Sequence, residues 1–189
     1  MNNLTDEQLV EAYLHGDNQS LEFLIQRHLN QVYGFVYGYV NNQADAEDIT
    51  QETFVKAWKK IKKFKPEYKF KTWLFTIAKN TALDFLKKKQ PVPFSAMAEK
   101  SDDDNDFSFA DGLVDARPMA SEVINKEIDY QDLNEAIETL PENYRATLAL
   151  RYNEGLKFRE IANITKESID TIKTRNRRVL ESLRKLLTK

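Results

Sequence analysis

Residues 56 to 89 combine positive charge with aromatic rings, which is the chemistry of a surface for unpaired nucleic acid. The segment contains twelve lysines, and only Glu67 and Asp84 oppose their charge. Seven aromatic residues lie between the lysines, namely Trp58, Phe64, Tyr68, Phe70, Trp73, Phe75 and Phe85. Lysines bind a phosphate backbone and aromatic faces stack on bases, so the combination favours single-stranded nucleic acid over duplex alone.

The C-terminal segment is also basic, with ten basic and four acidic residues over 157–189. Its pattern predicts a short helix over Phe158–Ile164, a tight connection, and a last helix that is capped by Ser168 and reaches Leu187. These are the proportions of a helix-turn-helix, whose second helix enters the major groove. We expect Ile169, Ile172, Val179, Leu183 and Leu186 to face inward. The residues then left for bases and phosphates are Ser168, Thr171, Lys173, Thr174, Arg175, Arg177 and Arg178. A solvated basic helix is the alternative, and the charge asymmetry favours DNA.

A third candidate site is acidic and precedes the lysine-rich segment. Helical spacing places Asp45, Asp48 and Glu52 on one face. Clustered carboxylates can bind a divalent metal, but a metal site in a helical bundle needs Glu-x-x-His pairs, and His15 and His28 fit no such motif. We therefore predict no metal and no cofactor, and interpret the face as a protein-binding patch or an ordinary solvated surface.

Charge is distributed unevenly along a chain whose net charge is only −2. Residues 1–55 contain one basic and nine acidic residues, and residues 90–127 contain three and nine, so two basic regions flank an acidic middle.

The absence of cysteine excludes disulfides and thiolate metal sites and agrees with a reducing cytoplasm. No signal peptide and no apolar run of about 18 residues is present, so we expect a soluble cytoplasmic protein without membrane insertion.

Apolar residues recur at spacings of three and four almost throughout, which predicts an all-α fold. We expect a first helix with Thr5 and Gln8 in a capping box, followed by helices from about Ser20 to Val40, from near Ala44, and from Lys71 to about Lys89. Phe70, Ile77 and Phe85 on the fourth helix are expected to be core residues.

The helical periodicity disappears between Gln90 and about Asn125, where Pro91, Pro93 and the acidic run Asp102–Asp106 occur. Such composition is typical of a flexible segment. The sequence thus predicts two small helical domains, 1–90 and 128–189, joined by a flexible acidic linker over 91–127. Alternatively, the segment 91–127 is a disordered surface insertion that has no function of its own.

Three segments resemble bacterial extracytoplasmic-function (ECF) sigma factors, in the family's order. DAEDITQETFVKAW (45–58) resembles the family's polymerase-binding motif, and KFKTWLFTIAKNTALDFLKKK (69–89) its −10-recognition segment. FREIANITKESIDTIKTRNRRVLESLRKLL (158–187) is similar to its −35-reading helix-turn-helix. The resemblance covers everything except the linker.

The resemblance implies a role for each segment in transcription initiation. Core RNA polymerase would contact Asp45, Glu47, Asp48, Gln51, Glu52, Phe54 and Trp58. The opened −10 strand would contact Lys71, Thr72, Trp73, Lys79 and Asn80, with Lys56 and Lys69 of the same lysine-rich segment. The −35 duplex would contact the seven residues named above on the last helix. An anti-sigma factor is a further implied partner, and catalysis would belong to the polymerase.

Two positions depart from the family pattern. Thr165-Lys166 replaces the usual Leu-Gly of the turn, which predicts a positive φ at Lys166 or a reshaped connection. Asp170-Thr171 stands where Gly-Thr is frequent, and Asp170 could accept from a cytosine amine or cap the helix.

Other classes of protein remain as alternatives. A stand-alone helix-turn-helix regulator would leave the lysine-rich segment unexplained, and a helical protein-binding adaptor would leave both basic regions unused. An enzyme has the least support, because two histidines, no cysteine and no glycine-rich phosphate loop offer no constellation for catalysis or for a small-molecule substrate.

Overall fold

A computed structural model of the chain describes residues 4–89 and 130–187, and every regular element in these two ranges is helical. The prediction of an all-α fold is confirmed. The predicted linker over 91–127 lies outside the described residues. None of the described helices is long and apolar enough to cross a membrane.

Four helices form the N-terminal unit, and polar caps set where three of them begin. They are α1 (Asp6–Leu14), α2 (Asn18–Val40), α3 (Gln43–Lys60) and α4 (Phe70–Lys89). Thr5 and Gln8 form the predicted capping box of α1, Asp17 caps α2, and Asn42 caps α3 by accepting from Asp45 N. A 3₁₀ turn (Ile61–Lys63) ends α3 and leads towards α4.

The C-terminal unit contains four further helices and one widened turn. They are α5 (Tyr130–Glu138), α6 (Glu142–Leu148), α7 (Phe158–Thr165) and α8 (Ile169–Leu187). A π-helical segment (Ala149–Asn153) extends α6, and Gly155 follows it with a φ of 65°, a conformation that glycine adopts without strain. The predicted short helix and last helix of this unit are confirmed as α7 and α8.

The two units share one buried apolar cluster. Phe35 of α2 and Phe75 of α4 meet edge to face with ring centroids 5.1 Å apart in the N-terminal unit. Leu150, Ile161 and Ile164 of the C-terminal unit are fully buried in the same cluster. In this closed packing α6 lies against α2, and α7 lies against α4. The packing of the two units against each other was not predicted from the sequence.

A smaller apolar cluster joins α5 to α8 through Ala136, Leu140, Val179 and Leu183. The inward orientation of Val179 and Leu183 is confirmed, as is that of Ile172. The same prediction was wrong for Ile169 and Leu186, which are 37% and 42% exposed. These two residues lie at the ends of α8, where neighbouring helices no longer cover the apolar stripe.

Phe70 of α4 is buried, and Ile77 and Phe85 are half-buried against the main cluster. All three therefore contribute to the core as predicted.

Candidate functional site

The helix α3 has one face in the core and one in solvent. Ala46, Ile49 and Ala57 are buried, and the buried hydroxyls of Thr50 and Thr53 donate to the carbonyls four residues earlier, at 2.6 and 2.8 Å. These bonds satisfy the only polar groups on the inner side chains. On the outer side, Glu47, Asp48, Gln51 and Glu52 are all exposed, and we call these four residues the acidic α3 face.

Three other residues of the predicted polymerase-binding set flank this face. Asp45 is half-buried, and its carboxylate lies 2.6 Å from Lys89 Nζ of α4. Phe54 is half-buried against the core. Trp58 is 53% exposed, and its indole Nε1 donates to the hydroxyl of Tyr13 at 2.5 Å, which fixes the ring at the surface. Five of the seven predicted residues are therefore accessible to a partner protein.

The aromatic residues of the lysine-rich segment are mostly internal. Phe64, Phe70 and Phe75 are buried. The half-buried ring of Trp73 contacts two of them, with centroid distances of 5.4 Å to Phe64 and 5.5 Å to Phe70. One part of Trp73 thus packs on other rings, and the rest is open to solvent. Its stacking on a base stays a prediction.

The lysines of α4 and of the residue before it are engaged by the C-terminal unit. Lys69 Nζ lies 2.5 Å from Glu160 Oε1, and Lys71 Nζ lies 2.8 Å from Glu154 Oε2. Lys79 Nζ donates to the carbonyl oxygen of Thr165 at 2.8 Å. Burial lowers the pKa of Lys79, and the nearby positive charge of Lys166 lowers it further.

The remaining predicted −10 residues have different surroundings. Thr72 is buried, and its hydroxyl has no hydrogen-bond partner among the described residues. Lys56 lies on α3, 2.9 Å from Glu52 and 3.4 Å from the Thr81 hydroxyl. Asn80 is exposed. The structure therefore does not present the predicted −10 set as one open surface.

The helix-turn-helix consists of α7 and α8, joined by Lys166, Glu167 and Ser168. Lys166 has a φ of 56° and a ψ of 40°, and the amides of Lys166 and Glu167 both donate to Ala162 O. The predicted positive φ is confirmed, and a lysine here supplies the left-handed helix end that glycine usually provides. Ser168 Oγ accepts from Thr171 N at 3.0 Å, so its predicted capping role is confirmed.

Most of the predicted −35 residues lie on the outer face of α8. Ser168, Thr171, Lys173, Arg177 and Arg178 are exposed, and Thr174 is half-buried. The N-terminal part of this face borders a shallow groove whose other side includes Asn143 and Tyr144 at the start of α6. Basic and hydroxyl groups there could contact phosphates and base edges.

Arg175 differs from its neighbours on α8 because it is 9% exposed. Its guanidinium donates two hydrogen bonds to the carboxylate of Glu167, one of them from Nη1 to Oε2 at 2.7 Å. The hydrogen bond from Arg175 is the main reason why the pKa of Glu167 is held below its ordinary value. In this structure Arg175 contributes to packing, and its DNA contact stays a prediction.

The acidic partners Glu154, Glu160 and Glu167 were not predicted from the sequence. Their signal is weak, because Glu160 and Glu167 are single carboxylates within the basic segment 157–189, and Glu154 lies just before that segment with no pattern that marks it. Glu160 occupies the third position of α7 and accepts from Lys157 N at 2.7 Å, as expected for a residue in the first turn of a helix.

His28 is a buried structural residue. Its ring nitrogens lie 2.8 Å from Asp6 Oδ2 and 2.9 Å from Gln31 Oε1, and its ring contacts Phe70. No three His, Asp or Glu side chains come together as a metal-holding group in residues 4–89 and 130–187.

Comparison with known proteins agrees with this division into two helical units. The Sigma-70 region 2 family matches residues 24–92, and the Sigma-70 region 4 family matches residues 130–183. The ECF RNA polymerase sigma-E factor of Haemophilus influenzae is 32% identical over 182 residues, covering 95% of this chain and 94% of the relative. The RNA polymerase sigma-H factor of Pseudomonas aeruginosa is 30% identical, covering 96% and 93%.

Solved structures show the same fold. The sigma factor RpoE from Bartonella quintana, crystallised in complex with the anti-sigma factor NepR, superposes with a TM-score of 0.64 at 25% identity, over 88% of this chain and 96% of that chain. CnrH, in complex with the cytosolic domain of CnrY, gives a TM-score of 0.66 at 20% identity and covers 97% of each chain. The helical architecture and the paired regions thus define a sigma factor of the Sigma-70 class. The chain belongs to the ECF RNA polymerase sigma factors.

Proposed function

We propose that this chain recruits core RNA polymerase through the acidic α3 face and directs the enzyme to promoters through two DNA-binding surfaces. The observation that carries the proposal is the exposure of Glu47, Asp48, Gln51 and Glu52 on a helix whose opposite side is packed in the core. A rigid helix that presents carboxylates beside an exposed tryptophan suits a basic protein partner. Asp45, Phe54 and Trp58 extend this surface.

The −10 surface consists of the lysine-rich segment and Trp73. Exposed lysines of the connection between α3 and α4 would attract the phosphates of a separated strand. The open part of the Trp73 ring would stack on a base. Lys56, Lys69, Lys71, Thr72, Lys79 and Asn80 would then be contacts of the same strand, once the C-terminal unit no longer occupies the lysines.

The −35 surface is the outer face of α8. Lys173, Arg177 and Arg178 would bind phosphates, while Ser168, Thr171 and Thr174 near the start of the helix would reach base edges. Arg175 would join them only after leaving Glu167.

Sigma factors are transcription initiation factors, and we propose that this chain performs no bond-making chemistry itself and acts in the cytoplasm. The similar RpoE was crystallised with an anti-sigma factor. An anti-sigma factor is accordingly the proposed regulatory partner of this chain.

Run-off transcription with purified core polymerase on a promoter library tests recruitment, reading and opening together. Transcripts that start at a common pair of elements are the expected result. A protein with Asp48→Lys and Glu52→Lys should be retained by core polymerase about tenfold less well, because like charges would face the basic partner. Glu22→Lys with Glu138→Lys changes the same charge at two other exposed positions and should have no effect. Equal retention of both double variants would reject the acidic α3 face as the docking site.

A further inference from the structure

Glu7 of α1 forms a hydrogen bond with the first residue of α4. Its Oε1 accepts from Phe70 N at 3.0 Å, although the two residues are 63 positions apart in the chain. The first amides of a helix have no acceptor within the helix, and a polar side chain at the preceding position normally satisfies one of them. The residue that precedes α4 is Lys69, whose ammonium group can only donate. Glu7 therefore supplies an acceptor that the local sequence of α4 lacks.

The carboxylate of Glu7 also lies at the positive end of the α4 dipole. A negative charge within hydrogen-bonding distance of the first amide stabilises the first turn of a helix. In α4 this turn contains Lys71, Thr72 and Trp73, three residues of the predicted −10 set. Glu7 thus acts on the part of the helix from which these side chains project.

The position of Glu7 is itself fixed by the packing of α1. Leu9 is fully buried in the main apolar cluster. The carboxylate of Asp6 lies 2.6 Å from Arg27 Nη1 and 2.8 Å from His28 Nε2, both on α2. Because an apolar contact and an ion pair both hold the start of α1, the carboxylate of Glu7 has a defined position relative to α4.

The ring of Phe70 connects this bond to Trp73. Phe70 is buried, and its ring centroid lies 5.8 Å from that of His28 and 5.5 Å from that of Trp73. Glu7 therefore holds the backbone of the residue whose ring supports Trp73. Without the bond the first turn would fray more easily, and Trp73 and Lys71 would no longer keep one position.

We propose that Glu7 is a positioning residue for capture of the separated −10 strand, because it holds the first turn of α4, and with it Lys71 and Trp73, in the conformation that meets DNA. This inference rests on the proposed −10 role of these two residues. Glu7 acts through the helix and not by contact with DNA. When its acceptor is removed, the apparent affinity for the strand falls with the fraction of molecules whose first turn is intact.

Three variants separate the effect of the bond from that of the charge. Glu7→Gln keeps an acceptor oxygen and loses the charge, and Glu7→Ala loses both. Glu7→Asp keeps the charge on a side chain that is one methylene shorter. The matched control is Glu11→Ala, because Glu11 is exposed and lies one turn further along α1. All variants are studied in the full chain.

Hydrogen exchange of the Phe70 amide, followed by NMR, tests the bond directly. This amide should be protected in the parent protein and in Glu7→Gln. In Glu7→Ala and Glu7→Asp it should exchange at least about tenfold faster, because local opening of the first turn is then sufficient for exchange. The amide of Ala78 in the middle of α4 should exchange as in the parent protein, whereas a general loss of stability would affect both amides.

Fluorescence anisotropy with a fluorescein-labelled, random-sequence pool of single-stranded DNA tests the consequence for binding. Glu7→Ala should bind the pool about fivefold more weakly than Glu11→Ala, the factor that corresponds to the usual cost of losing a helix cap. Both variants lose one negative charge, so their comparison cancels any general gain in attraction to DNA. Glu7→Gln should bind like Glu11→Ala, and this rescue by the remaining acceptor would not occur if only the charge mattered.

The outcomes separate this inference from the proposed function, with Trp73→Ala measured on the same DNA pool. If the Phe70 amide stays protected in Glu7→Ala, Glu7 does not hold the first turn and the inference is overturned. If protection is lost but only Trp73→Ala weakens binding, the positioning role is overturned and the −10 role stands. If neither variant weakens binding, the −10 role of Trp73 fails and the inference fails with it.

Glu7→Asp keeps the inference open to refutation if Glu7→Ala does not fold. It preserves a negative charge in the first turn of α1 and changes only the reach of the carboxylate. It should expose the Phe70 amide to exchange and weaken binding of the DNA pool. Parent-like behaviour in both measurements would reject the positioning role.

Discussion

Arg175 and Arg178 lie one helical turn apart on α8, and replacing each of them by alanine should affect different properties of the protein. Arg175 is buried and bound to Glu167 through two hydrogen bonds, whereas Arg178 is exposed on the outer face. From sequence both are expected to contact −35 DNA. The structure predicts that Arg175→Ala mainly lowers stability and that Arg178→Ala mainly weakens DNA binding.

The loss in free energy of unfolding expected for Arg175→Ala follows from the contacts of its side chain. Hydrogen bonds to a charged group contribute about 1.5–3 kcal/mol each, and Arg175→Ala removes two of them. Because the side chain of Glu167 is 31% exposed, water can solvate the carboxylate left behind, and the total should fall below the sum. We expect a loss of about 2–3 kcal/mol in the free energy of unfolding. For a chain of this size that corresponds to a fall in Tm of roughly 4–12 °C.

The assay combines urea unfolding with DNA binding at several salt concentrations. Arg178→Ala should change the free energy of unfolding by less than about 0.5 kcal/mol and reduce the salt slope by about 0.9, the value for one phosphate contact. The reasoning would be refuted if Arg175→Ala unfolded like the parent protein and reduced the salt slope as Arg178→Ala does. That result would mean that Arg175 contacts DNA and that its bond to Glu167 holds the side chain only in the absence of DNA.

Three further predictions concern the candidate −10 site, the turn and acid stability. Trp73→Ala should reduce affinity for opened promoter DNA by about 1–3 kcal/mol, with Trp73→Phe as the control that keeps a ring against Phe64; unchanged affinity in a folded protein would exclude base stacking. Lys166→Gly should raise the free energy of unfolding by about 0.5–1 kcal/mol in urea, since glycine adopts the positive φ without strain, and a loss would contradict the assigned backbone. Stability should fall on acidification below about pH 4.5, because hydrogen bonding from Arg175 lowers the pKa of Glu167. At Asp6 burial raises the pKa, but the hydrogen bonds and charges of His28 and Arg27 together outweigh burial and lower the pKa. The contributions of the two carboxylates to the free energy of unfolding are complete above the unfolded-state pKa values and disappear as the pH falls through the folded-state values. Asp6→Asn should flatten the dependence of the free energy of unfolding on pH. An unchanged pH dependence would count against this explanation.

Helix limits and turn conformations could be predicted from sequence because neighbouring residues decide them. Thr5 and Ser168 cap their own helices. The family resemblance marks Lys166 as the replacement of a glycine, which predicted either a positive φ or a reshaped connection, and the structure has the positive φ. The buried stripe of α8 followed from spacing within the helix, and of its five predicted residues Ile169 and Leu186 are exposed, because the end of a helix lacks a covering neighbour.

The closed packing could not be predicted in the same way, because it depends on pairs far apart in the chain. Lys71 and Glu154 are 83 residues apart, and nothing near either residue marks the other as its partner. Likewise, the burial of Arg175 depends on the fold of the turn before α8 and not on the spacing that made it resemble Arg178. The exposed acidic α3 face needed no such information, since one helix supplies all four of its side chains.

The shared apolar cluster has a thermodynamic consequence for the whole chain. Because Leu150 and Ile161 complete the core that Phe35 and Phe75 begin, heating should give one cooperative calorimetric transition and not two. When the units part, the hydration of these side chains adds a positive heat-capacity change, which opposes the negative change that accompanies burial at the new interfaces. The enthalpy of assembly with polymerase should consequently vary less with temperature than the contact area alone would require.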